Sequence, residues 1–147
     1  MSPLTAVSPI DGRYHKATQH LQDYFSEYAL FKYRIAVEIK YLEFLSEKGI
    51  IRKFTGTEKA SLESIINSFS LEECTAVKAI ERQVNHDVKA VEYYIKAKLT
   101  DTSLKDVVEF IHFGLTSEDV NNIAYAMMIK NYRTKITLPN ILDKIKQ

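Results

Sequence analysis

Three short polar clusters in the sequence contain side chains that could bind a small molecule or move a proton. None of them forms a recognisable nucleophile motif built on serine or cysteine, and the chain has no glycine loop of the phosphate-binding type. We call them the arginine cluster (Arg13-Tyr14), the histidine cluster (Asn85-His86-Asp87) and the hydroxyl cluster (Thr116-Ser117).

The arginine cluster follows the turn signal Asp11-Gly12, in an N-terminal segment predicted to be irregular up to Tyr14. Arginine offers a planar fork of donors suited to phosphate or carboxylate, and the tyrosine hydroxyl adds another. A loop arginine that makes only a surface ion pair would have the same local sequence. The residues alone leave both interpretations open.

The histidine cluster interrupts a helical pattern. Histidine can act as an acid, a base or a donor near neutral pH, which favours a functional interpretation. The alternative is a junction between two helices, at which Asn85 and Asp87 satisfy free backbone groups. His112, which lies between two apolar residues, is interpreted as a packed histidine.

The hydroxyl cluster opens a predicted helix. Thr116 and Asp119 have the spacing of a capping box, and Gly114 is typical of a residue that ends the preceding element. The simplest interpretation is a well-capped helix. A helix start with two hydroxyls is also a potential anion site, and although the acidic pair that follows argues against a bare phosphate, a carboxylate remains open.

Apolar residues recur at helical spacing through most of the chain, and no strand pattern competes with them, so the predicted fold class is all-α. The clearest helix spans about Ser26 to Lys48, carries apolar residues on more than one side, and ends at Gly49. Further helices are predicted to begin at Thr57, after Ser70, at Asp87 and, as a short helix, after a Ser103 cap.

The last predicted helix begins after Ser117 and shows no stop signal before Gln147. Pro139 is predicted to kink it or to mark a break. A helix whose apolar pattern continues to the final residue suggests a piece of something longer, or a helix that packs against partner chains. Its exposed apolar surface predicts self-association.

The composition disfavours several classes of function. Lys plus Arg (20) nearly balance Asp plus Glu (19), so no overall charge attracts nucleic acid or an anionic membrane. The single cysteine, Cys74, cannot form an intrachain disulfide, and no Cys/His pairs have metal-ligand spacing, so no metal site is expected. With neither a secretory signal nor a membrane-spanning apolar run, a cytoplasmic protein is predicted.

Three longer segments contain the polar clusters: SPIDGRY (8–14), NHDVKAVEYY (85–94) and EFIHFGLTSEDVNN (109–122). These segments resemble the adenylosuccinate lyase family of the fumarase/aspartase superfamily. They occur in that family's order and at its approximate spacing, and the intervening stretch 25–42 is also similar, so that the resemblance covers nearly the whole chain.

The resemblance implies a homotetrameric helical lyase that eliminates fumarate from adenylosuccinate, giving AMP, and from the succinylated aminoimidazole carboxamide ribotide of purine synthesis. No metal or organic cofactor is implied. A base would remove a proton beside a carboxylate, and an acid would protonate the departing nitrogen. Such a site needs donors aimed at the developing charge and a clamp for the phosphate.

By motif, the resemblance gives all three clusters substrate-binding roles. The arginine cluster would contact the phosphate side of the nucleotide. The histidine cluster would line the site and position substrate, with His86 as a donor. The hydroxyl cluster would hold the succinyl carboxylate at the helix N-terminus.

The chain also departs from the family. The family's general acid is a histidine in a later THGQ-type segment, and its base is a serine in a later GSS-x-MP-x-K-x-N loop; neither motif occurs between Met1 and Gln147. No catalytic acid or base is therefore predicted here, and the chain alone is predicted to be inactive. Residues 1–114 would form an N-terminal helical domain and residues 115–147 the truncated start of a central helical bundle.

Two other functions stay open at this stage. A different lyase of the superfamily, such as one acting on argininosuccinate, would share the architecture, although the segments 8–14 and 85–94 argue against it. A non-catalytic helical interaction or oligomerisation module would be compact and would lack affinity for nucleotide.

Overall fold

The computed structural model describes residues 3–147; Met1 and Ser2 lie outside the described residues, so the first residue of the segment predicted to be irregular, Ser2, is not described. Within 3–147 the chain is helical without a strand, which confirms the all-α prediction. Short 3₁₀ segments lie at Pro3–Thr5, Gln19–Leu21 and Lys105–Phe110, and a π-helical turn at Arg133–Thr137. The α-helices are α1 (His15–Thr18), α2 (Gln22–Phe25), α3 (Glu27–Glu47), α4 (Gly56–Asn67), α5 (Leu71–Val84), α6 (Asp87–Leu99), α7 (Ser117–Tyr132) and α8 (Leu138–Ile145).

Helix α3 is the central element because it is buried on two sides, as predicted. Along one side, Ile35 and Ile39 are fully buried in a core shared with α4, α5 and α6. Along the other, Val37 packs in a second cluster with Val88 of α6 and Val120 of α7. Burial of each such aliphatic side chain stabilises the fold by about 1.5–3 kcal/mol. These contacts hold the first turns of α6 and α7 against α3.

Two predicted helix starts differ from the structure. Helix α4 begins at Gly56 rather than Thr57, because Thr55 forms the capping box with Glu58. The predicted Ser103 cap is wrong: no side chain caps the following 3₁₀ segment. The Ser103 hydroxyl instead donates to Glu58 Oε1 at 2.9 Å, and a hydrogen bond to a charged carboxylate is stronger than one between neutral groups.

The backbone remains helical from α7 through the π-helical turn to α8. At the end of that turn, the Leu138 N–H donates to the Arg133 carbonyl, five residues earlier. A proline cannot bond to the carbonyl four residues before it, and its ring crowds that carbonyl. The irregularity predicted at Pro139 therefore takes the form of a π-helical turn rather than a break. No helix within 3–147 is both long and apolar enough to cross a membrane.

Candidate functional site

Arg34, a residue that the sequence analysis missed, links the histidine cluster to the helix that the hydroxyl cluster opens. Its Nη2 lies 2.7 Å from Asp87 Oδ2 in the histidine cluster. Its Nε donates to Asn121 Oδ1 at 2.9 Å, four residues beyond the hydroxyl cluster. One guanidinium on α3 therefore ties the start of α6 to the first turns of α7.

The backbone at the histidine cluster is that of a tight helix junction. Asn85 has φ 53° and ψ 34°, the left-handed conformation that asparagine tolerates, and it ends α5. His86 is extended, and its Nδ1 accepts the Lys89 N–H at 3.1 Å as the N-cap of α6. Because Nδ1 is an acceptor, the neutral His86 ring carries its proton on Nε2. The predicted junction between two helices is present, but the side chain that caps α6 is that of His86 and not of Asn85. His86 keeps a fixed Nε2–H donor on a half-exposed ring.

Asp87 is held as a carboxylate. Partial burial acts to raise its pKa, but the Val88 N–H, donated to Oδ1 at 2.8 Å, and the Arg34 guanidinium together bring the pKa below its ordinary value. Asp87 is consequently charged at neutral pH. Its two oxygens bond to the Val88 N–H and to Arg34, and these bonds hold the start of α6 in place.

The two residues of the hydroxyl cluster have different tasks in the structure. Thr116 completes the predicted capping box: its Oγ1 accepts the Asp119 N–H at 3.3 Å and donates to Asp119 Oδ2 at 2.7 Å. The Thr116 N–H also donates to Asp119, and that bond lowers the pKa of the Asp119 carboxyl. The Ser117 hydroxyl makes no hydrogen bond to any residue within 3–147. Of the two hydroxyls, only that of Ser117 is therefore unengaged.

The arginine cluster stands apart from the other two. The Arg13 guanidinium lies over the Tyr14 ring, with Cζ 5.4 Å from the centroid, and the Tyr14 side chain is half exposed. Neither side chain bonds to the histidine or hydroxyl cluster in the described part of the chain. The structure thus links the histidine cluster, through Arg34, to the helix that the hydroxyl cluster opens, and Arg13 keeps exposed donors that could meet an anion.

A second buried charged residue that the sequence analysis missed, Glu38, lies one turn beyond Arg34 on α3. Its Oε1 is 2.6 Å from His112 Nδ1, its side chain is 0% exposed, and its Oε2 has no hydrogen-bond partner within 3–147. Burial raises the pKa of Glu38, while the bond to His112 opposes that rise. The interpretation of His112 as merely packed is incomplete, because its ring is tied to a buried carboxylate.

His112 also lines a cavity of about 550 Å³ between α6 and the loop before α7. The residue itself has φ 63°, a left-handed conformation that few non-glycine residues adopt, and Gly114 nearby has φ 71°. The remaining lining combines charged and aromatic side chains, among them Lys89, Glu92, Tyr93 and Lys96. Backbone strain of this kind concentrates at functional sites.

The chemistry that these residues offer is binding and proton handling. Within 3–147 no group of three or more His, Cys, Asp or Glu side chains is arranged to hold a metal ion. The available groups are the Nε2–H of His86, the hydroxyl of Ser117 and the N-terminal end of α7, all of which suit a carboxylate.

Comparison with known proteins identifies the relatives of the chain. A family model described as "Lyase" matches residues 12–147. The adenylosuccinate lyase of Escherichia coli (strain K12) is 44% identical over 99% of this chain and 34% of its own length. Those of Buchnera aphidicola subsp. Schizaphis graminum and Vibrio cholerae are 47% identical over 95% of the chain and 44% identical over 100% of it. The chain spans about a third of the length of these curated relatives.

Proposed function

The chain belongs to the lyase family whose model matches residues 12–147, and from this premise we propose that it is the N-terminal part of an adenylosuccinate lyase. The complete protein would eliminate fumarate from adenylosuccinate, giving AMP, and from succinylaminoimidazole carboxamide ribotide. The observation that carries this proposal is the 44% identity to such a lyase across 99% of the chain.

The geometry supports specific binding roles for the clusters. In an elimination of this type, negative charge builds on the carboxylate beside the carbon that loses its proton, so donors fixed in advance accelerate the step. Ser117, at the N-terminus of α7, would donate to that carboxylate, and Thr116 would hold the helix start in place. His86 would add its Nε2–H. Asp87 would act through the Arg34 pair by keeping the junction rigid.

Phosphate binding is assigned to the arginine cluster. Arg13 lies over the Tyr14 ring, and within 3–147 its guanidinium forms no ion pair with a carboxylate. Its bidentate donors match a phosphate, and the Tyr14 hydroxyl adds a third donor beside them. The surface ion pair considered as an alternative would have required an acidic neighbour.

The proposal treats this chain as one segment of a shared site. The general acid and base would come from motifs that do not occur in the sequence between Met1 and Gln147, so the chain alone would be inactive. Residues 115–147 would begin a central bundle, through which four copies assemble as a homotetramer. A cytoplasmic location belongs to the proposal, because phosphorylated substrates do not cross a bilayer unaided.

One alternative has a structural observation in its favour. Helix α8 exposes Ile141, Leu142 and Ile145, which would suit a non-catalytic module that associates with other helices. A lyase acting on argininosuccinate has no comparable support, since the relatives reported above are named adenylosuccinate lyases.

The test compares the 147-residue chain with the polypeptide encoded by the complete reading frame of its source gene. We expect the complete protein to release fumarate from adenylosuccinate but not from argininosuccinate, and the 147-residue chain to release none. Turnover by the short chain would contradict its assignment as a partial site. A complete protein that acts on neither substrate, or a stop codon directly after Gln147, would favour the interaction module.

A further inference from the structure

We infer that Glu38 is a positioning residue that holds His112 in a single tautomer, with the proton on Nδ1, so that proton exchange at this ring is confined to Nε2 beside the cavity. This inference deepens the proposed function: a role of the Glu38–His112 pair in elimination rests on the proposed lyase activity. The tautomer of His112 does not depend on that activity.

The geometry of the pair carries the first step. Glu38 Oε1 and His112 Nδ1 are 2.6 Å apart, and the Glu38 side chain is fully buried. An ionised carboxylate can only accept, so Nδ1 must be the donor. A buried carboxylate without such a donor would cost several kcal/mol, and His112 is the one residue within 3–147 whose side chain bonds to Glu38.

The position of Nε2 carries the second step. Within 3–147 Nε2 makes no hydrogen bond. The His112 side chain is 20% exposed and lines the cavity of about 550 Å³. With Nδ1 occupied, Nε2 is the only ring atom that can take up or release a proton.

His86 provides a contrast within the same chain. Its Nδ1 accepts a backbone N–H, so its neutral ring bears the proton on Nε2 and cannot take a second one without losing the α6 cap. The two histidines therefore have opposite tautomers and different uses. His86 is a fixed donor, and His112 can exchange a proton with a ligand that bears an acidic hydrogen or an anionic oxygen.

The charges around the pair come from two helices. On α6, Glu92 faces Glu38, but its own charge is matched by Lys89 and Lys96, with Nζ–Oε distances of 2.7 and 3.1 Å. On α7, Asp119 interacts with His112 through space. The charge of Glu92 is thus balanced by two lysines. Glu38 is the one carboxylate within 3–147 that bonds to the His112 ring.

The test uses the ring ¹⁵N resonances of the wild-type chain, which distinguish a protonated from a bare imidazole nitrogen. In the neutral state of both rings, we expect His112 to show a protonated Nδ1 and a bare Nε2, and His86 to show the reverse. A His112 ring with its proton on Nε2 would overturn the inference. In Glu38→Met, which keeps the side-chain volume, His112 should lose its preference for the Nδ1 proton, whereas Glu92→Gln should leave it unchanged.

A second measurement separates this inference from the proposed function. In the complete enzyme, Glu38→Met should lower kcat/KM about tenfold or more, as for the loss of other outer partners of histidine, and should shift the pH profile. Glu63→Gln, at an exposed ion pair with Lys40 and away from the cavity, should do neither. An unchanged pH profile in an active Glu38→Met enzyme would refute the positioning role and leave the lyase assignment intact. A complete protein without lyase activity would refute that assignment and leave the tautomer result standing.

Discussion

Arg34 and Asp87 form an ion pair whose two partners differ tenfold in exposure: the Arg34 side chain is 4% exposed and that of Asp87 44%. The distance between Nη2 and Oδ2 is 2.7 Å, and Arg34 also holds Asn121 of α7. A buried cation that loses its anion is much less stable than an exposed anion that loses its cation. The pair is therefore more sensitive to loss of the exposed partner.

That asymmetry gives the first prediction. Asp87→Asn leaves the Arg34 charge buried, and we expect it to lower the free energy of unfolding by about 2 kcal/mol. Arg34→Met removes the buried charge and leaves Asp87 able to be hydrated, so we expect a loss of about 1 kcal/mol or less. Urea unfolding at neutral pH measures both. A larger loss for Arg34→Met than for Asp87→Asn would contradict the argument.

The two residues of the hydroxyl cluster are expected to differ in role: Thr116 stabilises the fold, and Ser117 binds substrate. Thr116→Ala removes the capping hydroxyl of α7 and should lower the free energy of unfolding by about 1 kcal/mol, while Thr116→Ser should retain most of it. Ser117→Ala should leave stability within about 0.5 kcal/mol of wild type and weaken substrate binding by the complete enzyme. Thermal unfolding and KM measurements check the two effects, and a Ser117→Ala enzyme with unchanged KM and kcat would remove this residue from the site.

Some hydrogen bonds between near neighbours were predictable, whereas those across the fold were not. Thr116 and Asp119 are three residues apart, so the sequence shows their capping box directly. Arg34 reaches Asn121 across 87 positions, and His112 reaches Glu38 across 74, which no local pattern reveals. The only signal was two charged residues, four apart, within the apolar surface of α3. A charge at a buried helical position needs a partner, and the sequence does not say which.

His86 allows the cap and the imidazole to be tested separately. Asparagine is a good N-cap residue, so His86→Asn should keep α6 stable to within about 0.5 kcal/mol, whereas His86→Ala should lower the free energy of unfolding by about 1 kcal/mol. Both variants remove the Nε2–H donor, and both should reduce kcat/KM of the complete enzyme to a similar extent. If His86→Asn kept full activity, the ring would serve only as a cap.

The lowered pKa of Glu58 predicts that the stability of the fold depends on pH in the acidic range. Hydrogen bonds from Arg52 and from the Thr55 N–H lower the pKa of Glu58 from 4.5 to about 2. Because the folded pKa lies below the unfolded one, this stabilisation is complete above about pH 4.5 and is lost as the pH falls toward 2. Glu58→Gln should lower the free energy of unfolding by about 2 kcal/mol at pH 6, and the difference from wild type should shrink toward pH 2. Glu63→Gln, at an exposed pair with Lys40, is the control and should change stability by less than about 1 kcal/mol.

The exposed end of the long last helix predicts self-association of the chain. On α8, Ile141, Leu142 and Ile145 are 48%, 54% and 74% exposed, and each would gain about 1.5–3 kcal/mol if fully buried against another copy. We expect the wild-type chain to form oligomers in sedimentation equilibrium, and Ile141→Glu combined with Ile145→Glu to be monomeric, because a charge cannot enter an apolar contact unpaired. Lys144→Glu changes the charge of the same helix without removing apolar surface, so it should leave the oligomers in place. Monomeric wild-type chain would contradict the proposed bundle contact, whereas dissociation by Lys144→Glu as well would indicate that charge, and not the apolar face, holds the copies together.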